Sequence, residues 1–191
     1  YDKKDKFGIL RDYATLSIQS LPTVFRGLIS KSMTDTDIVN CHPKIIHNLC
    51  KKHNINCLYL AEYCDNRKGL IADKKCTKQD VIRSINKQQF IKCDGWMKSF
   101  DIEMKEIQKQ LFDMPEYDQQ KILSESKPRN RRGSFMSHLA TSIEVKILHS
   151  VIHSFDLNIG VLMYDGFMFY GDKPPNLLED LSRMVKDKTG F

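Results

Sequence analysis

Three aspartates stand where short β-forming segments end. In MTDTDIV, residues 33–39, Asp35 and Asp37 alternate with threonines, and in VLMYDGFMFY, residues 161–170, Asp165 interrupts a run that is otherwise apolar or aromatic. Carboxylates delivered by two separate strand ends can share divalent cations, so Asp37 and Asp165 are the first candidates for a metal site. A plainer reading stands beside it, because Asp165-Gly166 is also the Asp-Gly pair that makes a tight hairpin turn between strand formers. A third feature is basic. KPRNRR places Lys127, Arg129, Arg131 and Arg132 within six residues, directly ahead of a long apolar-periodic segment. Lys and Arg at a helix N-terminus, where free N–H groups also favour anions, suit phosphate groups.

The elements that must position these residues follow from periodicity and breakers. MTDTDIV reads as a strand, and Asn40 and His42 before Pro43 read as a helix start, so PKIIHNLCKKH is expected to be helical. The order is strand, sharp turn, helix. TVFRGLISK, after Pro22, reads as a short helix, and LYLAEYCDNR as another. Thr77 with Asp80 three residues on resembles a capping box opening TKQDVIRSINK. From Trp96 to Phe112, Phe100, Met104, Ile107 and Leu111 keep a helical period with charges on the remaining face. After Met114-Pro115 and a basic loop, Ser134 is expected to cap the longest helix, which carries Phe135, Leu139, Ile143, Ile147, Val151 and Ile152 and runs to about Phe155. The hairpin around Asp165 follows. Pro174-Pro175 then breaks the chain before a final helix near NLLEDLSRMV.

Composition bounds the class. The 191 residues are 41% hydrophobic and 28% charged, which is ordinary globular usage and argues against a disordered chain. No apolar run reaches the length of a membrane span and nothing resembles a signal peptide, so a soluble, intracellular protein without membrane contact is expected. The chain opens on Tyr1 and closes on Thr189-Gly190-Phe191, and is expected to be cut from a longer polypeptide. A formal net charge of +6 fits an acidic partner, although its concentration in KPRNRR matters more than its size.

The six cysteines include no C-x-x-C pair, which argues against a zinc ribbon. His47 and Cys50 share a helix face, yet buried free thiols in a reducing compartment account for the cysteines more simply. His149 and His153 have the spacing of a helical metal pair but lack the glutamate of H-E-x-x-H, and are read as ordinary helix residues.

Strand-end Asp37, a basic loop with its long helix, and hairpin Asp165 follow one another in the order of parts of a polymerase palm. Nucleotidyl transfer with two metal ions needs two carboxylates from different elements and a set of cations for the triphosphate. At these residues the chain resembles the polymerases of viruses and transposons called TV-Pol, which are related to family A DNA polymerases and single-subunit phage RNA polymerases. The resemblance rests on SLPTVFR, DTDIVNCHP with the helix after it, EYCDNR, RNRRGSF with its helix through Glu144, and LMYDGFM, which together span most of the chain.

That resemblance implies an α/β (α+β) fold, helix-rich overall: a palm whose small antiparallel sheet carries the catalytic hairpin, plus helical fingers. It divides the chain into residues 1–57, the first part of the palm; 58–155, a mainly helical fingers insertion; and 156–191, the second part of the palm. Asp37 and Asp165 become the catalytic pair holding two Mg²⁺ or Mn²⁺ ions, with Asp35 either the ligand in place of Asp37 or its supporting partner. His42 stands five residues after Asp37, where family A enzymes place a glutamate that blocks a ribose 2′-hydroxyl and phage RNA polymerases place glycine. It selects deoxyribonucleotides or caps the helix. Lys127, Arg131 and Arg132 fall to the triphosphate, template phosphate or solvent, and Arg129, Asn130, Arg26 and Arg67 to nucleic acid. Gly166 stands where family A enzymes carry a second acidic residue, and KPRNRRGS matches their R-x-x-x-K fingers pattern loosely. The expected activity is template-directed DNA synthesis on a DNA primer-template from deoxynucleoside triphosphates, in viral or transposon replication. The alternatives are an RNA polymerase or primase-like enzyme on the same palm, and a non-catalytic basic module that binds nucleic acid.

Overall fold

Alternation of Thr34 and Thr36 with Met33, Asp35 and Asp37 makes a two-faced strand, and it is the first regular element of the computed structural model, which describes residues 24, 32–155, 157–163 and 166–190. The helix expected at 23–31 lies outside those residues, Val24 excepted. Strand β1 is Met33–Asp37, and the elements that follow it are α1 (Cys41–Lys52), α2 (Leu58–Ala72), α3 (Lys78–Asn86), α4 (Gly95–Asp113), α5 (Asp118–Ser124), α6 (Arg131–Ser154), β2 (Ile159–Met163), β3 (Gly166–Tyr170) and α7 (Leu177–Thr189). Single 3-10 turns occupy Pro115–Tyr117 and Pro128–Asn130. The fold is helix-rich α+β with one small, open, three-stranded antiparallel sheet.

Two compact units divide the chain: residues 1–41 with 142–191, and residues 42–141. In the first, the sheet order is β1-β3-β2 and both pairings are antiparallel. Thr34 and Thr36 stand opposite Phe169 and Phe167, so these four share one face. Phe167 and Phe169 join Leu162 from β2, Leu148 and Val151 from α6, and Leu177 and Leu181 from α7 in a buried cluster. The period of two then sends Met33, Asp35 and Asp37 to the other face, opposite Tyr170, Met168 and Gly166. A bulge between Ile159 and Val161 shifts the β2 register.

The second unit is helical. Helix α4 buries Phe100, Met104, Ile107 and Leu111, the stripe its period predicts, together with Met97. The Phe100 ring stacks on Trp96 at 5.3 Å and meets Tyr63 of α2 at 6.1 Å, while Phe112 meets Phe135 edge-on at 5.2 Å.

Several boundaries differ from the sequence expectation. β1 stops at Asp37 rather than Val39, because Asn40 takes a left-handed conformation, φ 57°, and α1 begins at once with Cys41. Pro43 is therefore the third helical residue and His42 the second. Helix α6 starts at Arg131, three residues before Ser134, whose buried hydroxyl lies 3.3 Å from His138 Nε2 within the helix instead of capping it. The short helix α5 was not anticipated, since DQQKILS offers too few turns for a period to emerge. Thr77 does cap α3, its hydroxyl accepting the Asp80 N–H at 3.1 Å.

Candidate functional site

Residue type and register set the exposed face of the sheet. Asp35 and Asp37 are both exposed there, two residues apart on the outer strand. Asp37, the last residue of β1, is in register with Gly166, the residue after Asp165. A Cβ on Gly166 would lie 2.5 Å from the Thr36 carbonyl oxygen and 3.4 Å from Asp37 Oδ1. Glycine is thus a steric requirement of this pairing, because the β1 backbone fills the place a side chain would take. Asp165 itself lies outside the described residues, as does Arg26.

A similar constraint acts on Gly160. A Cβ there would meet the Tyr170 ring at 2.8 Å and the Met33 methyl at 2.9 Å, so two large side chains cross this end of the face.

His42 is half-buried in the first turn of α1. Its place inside the helix takes it out of the N-cap position that the sequence reading gave it as one alternative. Arg67 is half-buried in α2, directly after Asn66, whose φ of −127° and ψ of 37° interrupt the helix.

The basic segment is held tightly to its own unit. The Asn130 side chain donates to the Asn86 carbonyl at 2.9 Å and accepts the Gln88 N–H at 2.7 Å. Gln89 Nε2 donates to the Arg129 carbonyl at 2.6 Å, and Gln88 Oε1 accepts the Arg132 N–H at 3.0 Å. Gly133 permits this approach, since a Cβ there would collide with the Asn86 carbonyl and with Asn130 Oδ1. The Asn130 amide, assigned to nucleic acid from the sequence, is thus used at both ends within the fold.

The cations of the segment divide accordingly. Arg131 pairs with Glu125 at 2.9 Å and lies over the Phe112 ring at 5.4 Å. Lys127 and Arg129 are exposed and Arg132 half-buried, and among the described residues their charged groups make no hydrogen bond or ion pair. Positive charge at a helix N-terminus opposes the helix dipole, and an anion bound at this turn would offset both.

Sequence reasoning missed a buried polar network behind the same segment. Asp101 accepts from Ser84 Oγ at 2.6 Å, the Ile91 N–H at 3.0 Å and Lys105 Nζ at 2.7 Å. Lys105 also donates to the Ser84 carbonyl at 2.8 Å, and Gln108 Nε2 to the carbonyls of Ser84, Ile85 and Lys87 at 3.1, 2.8 and 3.0 Å. Together they cap the C-terminal end of α3, whose carbonyls favour a cation. Burial holds the Lys105 ammonium below its usual pKa, opposed by the hydrogen bond to Asp101. The i, i+4 spacing of Asp101 and Lys105 was visible in the sequence, but it ordinarily marks a solvated pair.

All six cysteines are free, with Cys41, Cys50 and Cys76 buried and the other three half-buried. Burial pushes the Cys64 thiol up to about 12 and raises Cys50 further. These thiols are poor nucleophiles at neutral pH. Among the described residues, no three His, Cys, Asp or Glu side chains form a group that could hold a metal ion, and no helix is long and apolar enough to cross a membrane.

Comparison with protein-family models, with curated proteins and with solved structures returns no match.

Proposed function

We propose that the chain is the catalytic core of a template-directed nucleotidyltransferase, a DNA polymerase of the kind its resemblance to TV-Pol implies, working with two divalent metal ions. One observation carries the reading: Asp37 ends its strand in register with Gly166, the chain neighbour of Asp165. The strand that ends at Asp37 thus pairs with the strand that begins at Gly166, the residue that follows a second aspartate 128 positions from Asp37 in sequence. The donor set suits hard cations such as Mg²⁺ or Mn²⁺, which prefer carboxylate oxygens. Exposure of Asp35 and Asp37 leaves room for the waters such ions retain.

Asp37 and Asp165 would hold the metals, with Asp35 supporting Asp37 from the same face. Bound there, the ions would lower the pKa of a primer 3′-hydroxyl and stabilise charge on the transferred phosphoryl group. Lys127, Arg131 and Arg132 are assigned to the triphosphate. Because Arg131 is already engaged by Glu125 and Phe112, Lys127 and Arg132 carry the larger share. His42 is assigned to exclusion of a 2′-hydroxyl, which favours deoxyribonucleotides.

Primer extension with separate dNTP and rNTP pools, in Mg²⁺ and in Mn²⁺, tests the reading. The expected result is metal-dependent DNA synthesis that Asp37→Asn and Asp165→Asn each abolish. Asn-Gly serves a hairpin as well as Asp-Gly, so the second change preserves the turn. Extension at the parent rate by either variant would overturn the assignment, and preference for rNTPs would shift it to an RNA polymerase or primase-like enzyme.

A further inference from the structure

An isolated exposed aromatic is ordinary on a mobile loop, but Phe90 is 67% exposed on a loop pinned at three points. The Gln88 N–H is held by Asn130, the Gln89 side chain by the Arg129 carbonyl, and the Ile91 N–H by buried Asp101. The ring is therefore presented to solvent by a fixed backbone. Lys87 and Lys92, both exposed, flank it in sequence, and the same hydrogen bonds place the loop against the 3-10 turn that carries Arg129, with Lys127 just before it. Beside this loop runs a shallow groove of about 550 Å³, lined by Lys78, Ile82, Arg83, Asn86, Lys87 and Asn130. Of the carboxylates near these basic residues in sequence, Asp80 is engaged by Arg83 at 3.3 Å and Glu125 by Arg131 at 2.9 Å, while Asp94, two residues after Lys92, is exposed and makes no capping hydrogen bond. What remains is an aromatic face interleaved with cations.

We propose that this surface, formed by Phe90 with Lys87, Lys92 and Arg129, binds single-stranded nucleic acid, one base stacking on the Phe90 ring while the cations follow the phosphates. A base pair in a duplex has no free face to offer the ring except at its end, whereas every unpaired base does. Phosphate contacts alone would not distinguish the two. Binding of this kind needs no divalent metal, so it stands or falls separately from the polymerase reading.

Fluorescence anisotropy with a labelled 20-nucleotide oligodeoxythymidylate, in chelator and at several salt concentrations, tests it. Phe90→Ala should weaken binding about tenfold, as loss of one stacked base does, and Phe90→Trp should restore it. Leu58→Ala, which removes a comparably exposed apolar side chain elsewhere, should leave affinity unchanged. Lys87→Gln and Arg129→Gln should each make the dependence of log affinity on log salt shallower by about 0.7. Parent affinity in Phe90→Ala, or a 20-base-pair duplex bound as tightly as the single strand, would overturn the proposal.

Discussion

Aspartates do opposite work in the two units. Asp35 lies exposed on the open face of the sheet, whereas Asp101 is buried in α4 and takes three hydrogen bonds from Ser84, Ile91 and Lys105. The second carboxylate is committed to the fold, since removing its charge strands a buried ammonium. The first is exposed and, among the described residues, makes no such bonds. The basic segment repeats the contrast over a few residues: Asn130 and Arg131 are engaged within the helical unit, while Lys127 and Arg129 face solvent. Conspicuous charge in a sequence therefore does not separate residues that hold a protein together from residues that act on something else. Partners do.

The sharpest way to break this comparison is to swap the roles by mutation. Asp37→Asn is expected to lower primer extension by at least about a thousandfold, the scale of several kcal/mol that a lost metal ligand removes from transition-state stabilisation. Thermal unfolding followed by circular dichroism should show the variant still folded at the assay temperature. A variant that loses activity only because it unfolds would place Asp37 with Asp101 instead.

Asp101→Asn is the converse. Leaving Lys105 buried and unpaired should cost about 3 kcal/mol, read by urea denaturation, against less than about 0.5 kcal/mol for Asp35→Asn. Replacing both partners, Asp101→Asn with Lys105→Met, should recover part of that loss, because no stranded charge remains. Equal effects of Asp101→Asn and Asp35→Asn would erase the distinction between the two units.

Gly166→Ala tests the sheet edge from the other side. A methyl group placed 2.5 Å from the Thr36 carbonyl must push β1 away, at a cost of about 1–3 kcal/mol. Extension activity should fall more than stability does, since the displaced strand end carries Asp37.

The smallest effect is expected at His42. Glycine there should cost about 0.5 kcal/mol of helix stability and raise ribonucleotide incorporation relative to deoxyribonucleotide. Lower stability with unchanged sugar discrimination would leave His42 a helix residue and nothing more.

Local physics was legible in the sequence. The apolar stripe of α4, the Thr77 cap, the existence of a strand at Met33–Asp37 and the strands flanking Asp165-Gly166 each depend on residues a few positions apart, so spacing was enough. Asp37 and Asp165 could be nominated as a pair only through the order of parts and a family resemblance. Tertiary structure decided that β1 pairs with β3 in a register opposing Asp37 to Gly166, that Asp101 and Lys105 turn inward, and that Asn130 reaches back to Asn86 and Gln88. Asn130 bonds across more than 40 residues, and β1 pairs across more than 120. Contacts at such separations form because burying the apolar faces leaves one arrangement that also satisfies the polar groups trapped between them, and no local pattern encodes that arrangement.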